Sequence, residues 1–415
     1  MAVLGIVAEF NPFHNGHLHL VQEALKKESF SAAVCVMSGN FLQRGEPALC
    51  DKWSRAEMAV RCGLDLVIEL PFCFAVRSAW HFARGAVNLL AQTGVVTHLA
   101  FGSESGDITR LNAIASVLAS EPDEFKTSLR SQLDKGLNYP AARSLALQDY
   151  LSSTPDLEHL LIGPNNILSI EYLRVIKENC LPMIPLTIPR QGNYHDPSLG
   201  YFPSATAIRK SLEQNQSLQH IAPAMPKNCL ERLKKDISLG RAPVHSDALE
   251  QAIFFQLRSR STAQLQEIYE VAEGLENRLH NAAITSHTLE ELRHRVKSKR
   301  YSLTRINRTL LYSLLALSKT QMQAFDLDGP QYIHVLAFSA KGQEILQEMK
   351  IKCLLPILNR GSEVKQAYMG GFGRQVRDMI AIDVLADDLY ALGFPNPQHR
   401  QGAQAFTSTP FILSD

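Results

Sequence analysis

The 415-residue sequence predicts an α/β fold: a Rossmann-like parallel sheet over residues 1–240, then a mainly helical region over 241–415 that carries a small α/β element. Three observations carry this expectation. Short apolar strands alternate with helical patterns through the first two hundred residues. Polar and glycine-bearing segments follow each of those strands, where a doubly wound sheet keeps its ligands. After the turn at Gly240-Arg-Ala-Pro243, helical periodicity takes over.

The elements follow in order. Val3 to Ala8 is small, apolar and β-branched, as a strand covered on both faces should be. Asn11-Pro12 breaks the run. Leu18, Val21, Ala24 and Leu25 then recur at helical spacing, with Gln22, Glu23, Lys26 and Lys27 opposite, so a helix starts near Gly16. Ala32 to Met37, Leu64 to Leu70, His98 to Phe101 and Met183 to Ile188 read as further strands. From Ile108 to Leu161 a stripe of Leu111, Ile114, Val117 and Leu118 marks a helical insertion over about 108–161. Ser261 with Gln264, and Thr288 with Glu291, are candidate capping boxes. Near the end, Tyr332 to Phe338 and Leu354 to Leu358 read as short strands flanking a helix at Gly342 to Lys350, and Gln375 to Leu392 as another helix.

Composition sets the bounds. A hydrophobic fraction of 45% and a charged fraction of 20% are those of a globular chain with a sizeable core. Lys and Arg number 42 against 41 Asp and Glu, so a nucleic-acid surface must come from local clustering. Seven cysteines without a CxxC pair argue against a disulfide framework and a structural zinc, and point to the cytoplasm. Met1 to Ala8 runs directly into the first strand, so no leader is expected. No apolar run is long enough for a membrane span.

The chemistry concentrates at His14-Asn15-Gly16-His17, where the first strand gives way to a helix. A helix N-terminus offers unpaired N–H groups and the positive end of the dipole, and Gly16 removes a side chain that would hold a triphosphate away. Two imidazoles there can donate to phosphate oxygens. The plainer alternatives are helix-capping histidines or a metal pair, though zinc histidines on a helix stand four apart around a glutamate. A second element is Ser204-Ala-Thr206-Ala-Ile-Arg209, in which hydroxyls at a helix start precede an arginine one turn on. Alone it is an ordinary cap. A third is Gly163-Pro-Asn165-Asn166 with the following segment from Ile188 through Arg190 to His195 and Asp196, where adjacent asparagines suit a turn. The polar loop from Met37 to Arg55 offers Arg44 and Lys52 to a small carboxylate or an RNA backbone, or is simply solvated. Glu9 and Glu69 at strand ends leave room for Mg²⁺, with no metal ligand assigned. The densest basic run is Arg293, Arg295, Lys297, Lys299 and Arg300, extended by Arg305 and Arg308, with Tyr301 as a stacking candidate; its plain reading is a solvated helix face.

His14-Asn15-Gly16-His17 resembles the HxGH signature of the HIGH-type nucleotidyltransferases, which bind ATP across a parallel sheet and release pyrophosphate. The longer string from Val7 to Leu18, with the later segments, resembles the bacterial tRNA(Met) cytidine acetate ligase family along nearly the whole chain. The resemblance implies a nucleotidyltransferase domain over 1–240 and a tRNA-binding region over 241–415. It implies catalytic roles for His14, His17, Ser204, Thr206 and Arg209. It implies ATP contacts at Val7, Ala8, Glu9, Phe10, Asn11, Pro12, Phe13, His14, Asn15, Gly16, His17, Leu18, Gly102, Asn166 and Arg190. The substrates implied are ATP, acetate and elongator tRNA(Met), with acetyl-adenylate as intermediate, N4-acetylcytidine as product, and no membrane or obligate protein partner. An adenylyltransferase acting on a phosphorylated metabolite, and a non-catalytic tRNA-binding protein, stay open as alternatives.

Overall fold

The computed structural model describes residues 2–152, 157–191, 201–202, 204–214 and 218–414. Residues 192–196 of the segment singled out after Ile188, including His195 and Asp196, lie outside the described residues, as does Pro203.

The strands are β1 (Val3–Ala8), β2 (Ala32–Ser38), β3 (Leu66–Leu70), β4 (His98–Ser103), β5 (Ile184–Pro189), β6 (Ile333–Phe338), β7 (Ile357–Leu358) and β8 (Phe411–Ile412). They form one sheet in the order β5-β4-β1-β2-β3-β6-β7, with β8 also pairing to β6. The first five strands are parallel throughout, as their apolar character predicts. Alternate residues serve opposite faces. Val34 and Val36 join one core with Leu66 and Ile68, while Ala33, Cys35, Met37 and Val67 join the other.

Chain order runs outward from β1 through β2 to β3, then returns to place β4 on the other side of β1. That reversal is the topological switch point, and in such sheets a crevice opens beyond the carboxyl ends of the two strands involved. Between β4 and β5 the chain forms helices at Ile108–Ser120, Asp123–Asp134, Tyr139–Tyr150 and Leu157–Ile162.

The small α/β element of the C-terminal part is joined to the main sheet. After a helical stretch, β6 returns antiparallel to β3, with Leu66 opposite Phe338 and Glu69 opposite His334, and brings β7 and β8 with it. Apolar β6 thus pairs with a strand edge that would otherwise be open. The turn near 240 is real, with Gly240 at φ 69°, but one sheet is shared by chain on both sides of it. Ser261 and Gln264 form a complete capping box. Thr288 caps through its side chain alone, because the Glu291 carboxylate takes the His287 N–H instead.

Candidate nucleotide site

The crevice at the switch point is a cavity of about 670 Å³, within the size range of small-molecule sites. Val7, Ala8 and Glu9 from the end of β1, Phe101 and Gly102 from β4, and Ile188, Pro189 and Arg190 from the end of β5 line its floor. His14, Gly16 and His17 border it from the helix Asn15–Leu25, and Thr206 and Arg209 from the helix Ala205–Glu213. The two separate signatures therefore converge on one cavity.

The two histidines cap their own helix. His14 stands at the N-cap, normally a place for Ser, Thr, Asp or Asn, and its Nδ1 accepts the Gly16 N–H at 3.0 Å. His17 Nδ1 accepts the His14 N–H at 3.2 Å, so the pair forms a capping box from two imidazoles. A nitrogen that accepts an N–H carries no hydrogen itself, which puts the proton of each neutral ring on Nε2. The rings stack with centroids 3.8 Å apart, His17 also meeting Phe10 and Phe13. Burial, then Arg190 and Arg209, lower the His14 pKa to about 3. Burial, then His14 and Arg190, lower that of His17. The capping alternative and the phosphate reading thus coexist: Nδ1 serves the helix, and Nε2–H is left for an anion. A Cβ on Gly16 would sit 2.9 Å from His14 Cε1, so glycine is needed there to keep the ring in place.

Arg209 donates to the Asn11 carbonyl at 2.9 Å and to Thr206 Oγ1 at 3.2 Å, joining the second signature to the loop after β1. Arg190 is placed by its own N–H, which bonds Ser103 O at 2.9 Å. A Cβ on Gly102 would meet nothing nearer than Ile188 O at 4.0 Å, so that face of the strand opens into the cavity and a ligand ring can lie against backbone.

Other expected residues stand one step back. Ser204 is a buried N-cap accepting the Ala207 N–H, away from the cavity wall. Asn166 is buried too. Its Oδ1 accepts the N–H groups of Glu104 and Ser105 at 3.0 and 3.2 Å, while Glu104 accepts from Asn165 and Asn166 in return. This reciprocal clasp holds the loop after β4, and neighbouring Asn165 lines the cavity instead. Asn15 donates to the carbonyls of Tyr201 and Pro223, and Pro12, Phe13 and Leu18 pack away from the cavity. The apolar wall of Phe82 and Tyr172 has no assigned role in the sequence, since nothing local distinguishes it from core, whereas Glu104 is legible there only as one of the polar residues that follow a strand.

Lys52 is a correction. It is 1% exposed, with Nζ 2.8 Å from Glu69 Oε2 and 2.6 Å from Asp387 Oδ2, so it faces neither an acetate nor an RNA. Glu69 also meets His334 Nδ1 at 2.6 Å and has no free face for Mg²⁺. Burial pushes the Glu69 carboxyl up, but Lys52 and His334 outweigh it and hold it at about 2. Among the described residues no group of three or more His, Cys, Asp or Glu is placed to hold a metal.

The basic run divides. Arg308 is buried, bonded to Glu270 at 3.2 Å, and borders the cavity with Thr304 and Arg44. Tyr301 is buried with its hydroxyl on Glu273 O at 2.8 Å, and Arg305 stacks on its ring, which removes Tyr301 as an RNA stacking group. Arg293 is half-buried, Arg295 pairs with Glu291 and Arg300 with Glu273. Lys297 and Lys299 are exposed and have no ion pair among the described residues.

Known proteins resemble this chain over nearly its whole length. The sequence pattern of the HIGH nucleotidyl transferase family matches residues 1–405. A tRNA(Met) cytidine acetate ligase of Syntrophomonas wolfei is 57% identical over 412 residues, covering 99% of each chain. One of Acetivibrio thermocellus is 38% identical over 419 residues, covering all of both. The crystal structure of Thermotoga maritima TmcAL bound with alpha-thio ATP superposes with a TM-score of 0.94 at 37% identity over the whole of both chains.

Proposed function

Because this chain belongs to the HIGH nucleotidyl transferase family, and within it to the tRNA(Met) cytidine acetate ligases, we propose that it joins acetate to ATP as acetyl-adenylate. It then passes the acetyl group to N4 of the wobble cytidine of elongator tRNA(Met), giving N4-acetylcytidine in the cytoplasm. The observation that carries this reading is the convergence of the imidazole pair, Thr206, Arg209 and Arg190 on one cavity. Acetate is itself the nucleophile in the first step, so the protein has to align it with the α-phosphate and stabilise charge on the departing pyrophosphate. His14 and His17 supply Nε2–H donors for that charge, Arg209 and Arg190 supply cations, and Gly102 takes the adenosine. Ser204 and Asn166 act by holding the helix start and the loop. Mg²⁺ would be held by the triphosphate, where it would offset charge on the departing pyrophosphate.

The test is acetate-dependent exchange of labelled pyrophosphate into ATP, followed by nucleoside analysis of total tRNA incubated with labelled acetate. Exchange that needs a phosphorylated acceptor in place of acetate would favour the adenylyltransferase alternative.

Lys297 and Lys299 are the exposed cations proposed to meet tRNA phosphates, with Arg293, Arg295 and Arg300 beside them. Replacing both lysines with glutamine is expected to flatten the plot of log affinity against log salt by about 1.4 to 1.8, at roughly 0.7–0.9 per lost phosphate contact. ATP affinity is the internal control. An unchanged salt slope by filter binding would remove these two lysines from the interface.

A further inference from the structure

The cavity extends beyond what ATP occupies in the reading above. With the nucleotide assigned to Gly102, Arg190, the histidines, Thr206 and Arg209, the wall left over includes Glu9, Gln43, Arg44, Glu46, Thr304 and Arg308. Glu9 is held at both ends. Its carbonyl accepts from Arg55 Nη1 at 2.6 Å, and its Oε1 accepts the Gln43 N–H at 2.7 Å. Gln43 is fixed in turn by its side-chain amide on the Arg77 carbonyl at 2.9 Å. Glu9 Oε2 has no hydrogen bond among the described residues, and the side chain lines the cavity. Arg209 bonds the carbonyl of Asn11, two positions after Glu9, and lines the same cavity, so Glu9 shares its loop with the phosphate-binding groups.

The same end of the cavity is the one nearest the basic surface. Gly45, at φ 76°, lies so close to the helix Leu303–Leu314 that a Cβ there would be 2.3 Å from the Arg308 backbone nitrogen. The loop carrying Gln43 and the helix carrying Thr304 and Arg308 therefore close this end together. That helix follows directly on the segment bearing Lys297 and Lys299, so this is the end of the cavity that a base would enter from an RNA lying on that segment.

Resting on the function proposed above, we infer that Glu9 is the general base of the second step, taking the proton of the cytidine amine through Oε2. The N4 nitrogen forms a bond to the acetyl carbon, and the bond from that carbon to the phosphate oxygen breaks. AMP leaves with the electron pair, and the N4 proton passes to the Glu9 carboxylate. Burial pushes the Glu9 carboxyl above its ordinary value against the pull of the Gln43 amide and Arg44, Arg55 and Arg209, which makes it a stronger base than an exposed glutamate. A neutral amide cannot accept this proton, but its oxygen can still take the Gln43 N–H.

The experiment is Glu9→Gln in the full chain, with pyrophosphate exchange and single-turnover acetyl transfer to tRNA(Met) measured side by side and the thermal midpoint recorded. Transfer is expected to fall by about 10²–10⁴-fold, the usual contribution of a positioned base, and at least tenfold further than exchange, which drops as well because Glu9 lines the nucleotide cavity. The unsubstituted protein should lose transfer rate as acidic pH protonates Glu9, and that limb should vanish in the variant. Glu9→Asp, with a shorter carboxylate, should recover part of the transfer rate. Equal losses in both reactions would make Glu9 an ATP or metal contact and overturn the proposal, as would undiminished transfer. Absence of acetate-dependent exchange in the unsubstituted protein would overturn the functional reading itself.

Discussion

His17→Ala is expected to lower acetate-dependent pyrophosphate exchange by about 10²–10³-fold, the loss typical of removing one preorganised donor from a developing negative charge. The expectation rests on how the ring is held. Its Nδ1 is occupied by the His14 N–H, its face stacks on His14, and only Nε2–H is left for the leaving pyrophosphate. Alanine also uncaps the helix Asn15–Leu25, at about 1 kcal/mol, which the two large cores of the protein can absorb. His17→Gln separates the two roles. Glutamine at this helix position can reach back to the N-cap N–H but does not return the imidazole donor, so stability should recover while exchange stays low. A folded alanine variant that exchanges within tenfold of the original would remove His17 from the chemistry.

Lys52→Ala is expected to have the largest effect on stability, about 3–5 kcal/mol, because it leaves buried carboxylates without their cation. Lys52 ties Glu69 of β3 to Asp387 of the helix Arg374–Ala391, and Glu69 also binds His334 of β6. Burial weakens the charged form of Lys52, but Asp387 and Glu69 more than compensate and raise its pKa. Without the ammonium, Glu69 and Asp387 repel across a buried gap, and the contact between the C-terminal helix and the sheet weakens. Lys52→Met should destabilise less, since its unbranched chain refills the volume. Denaturant titration gives the number, and a loss below about 1 kcal/mol would mean that water or repacking replaces the network.

These two residues also mark what was and was not legible in the sequence. His17 was recognisable because its chemistry is local. Strand, turn, glycine and helix start lie within one short segment, and spacing alone brings the imidazoles together at a helix N-terminus. Lys52 is not legible in this way because its partners come from residues 69 and 387, and nothing near position 52 distinguishes a buried ion pair from a solvated one. Tyr301 and Arg308 were misplaced for the same reason, each satisfied by the distant segment from Ala272 to Glu273 or by Glu270.

The existence and parallel direction of the first five strands, the helical insertion and both nucleotide signatures follow from periodicity and local chemistry, which act between residues a few positions apart. The antiparallel return of β6, the Lys52 network, the division of the basic run into cavity wall and exposed lysines, and the position of Glu9 next to Gln43 all depend on contacts between segments far apart in the chain. Hydrophobic pattern says that a strand is buried, but not which neighbour it pairs with. Charge says that a side chain needs a partner or water, and folding alone selects between them.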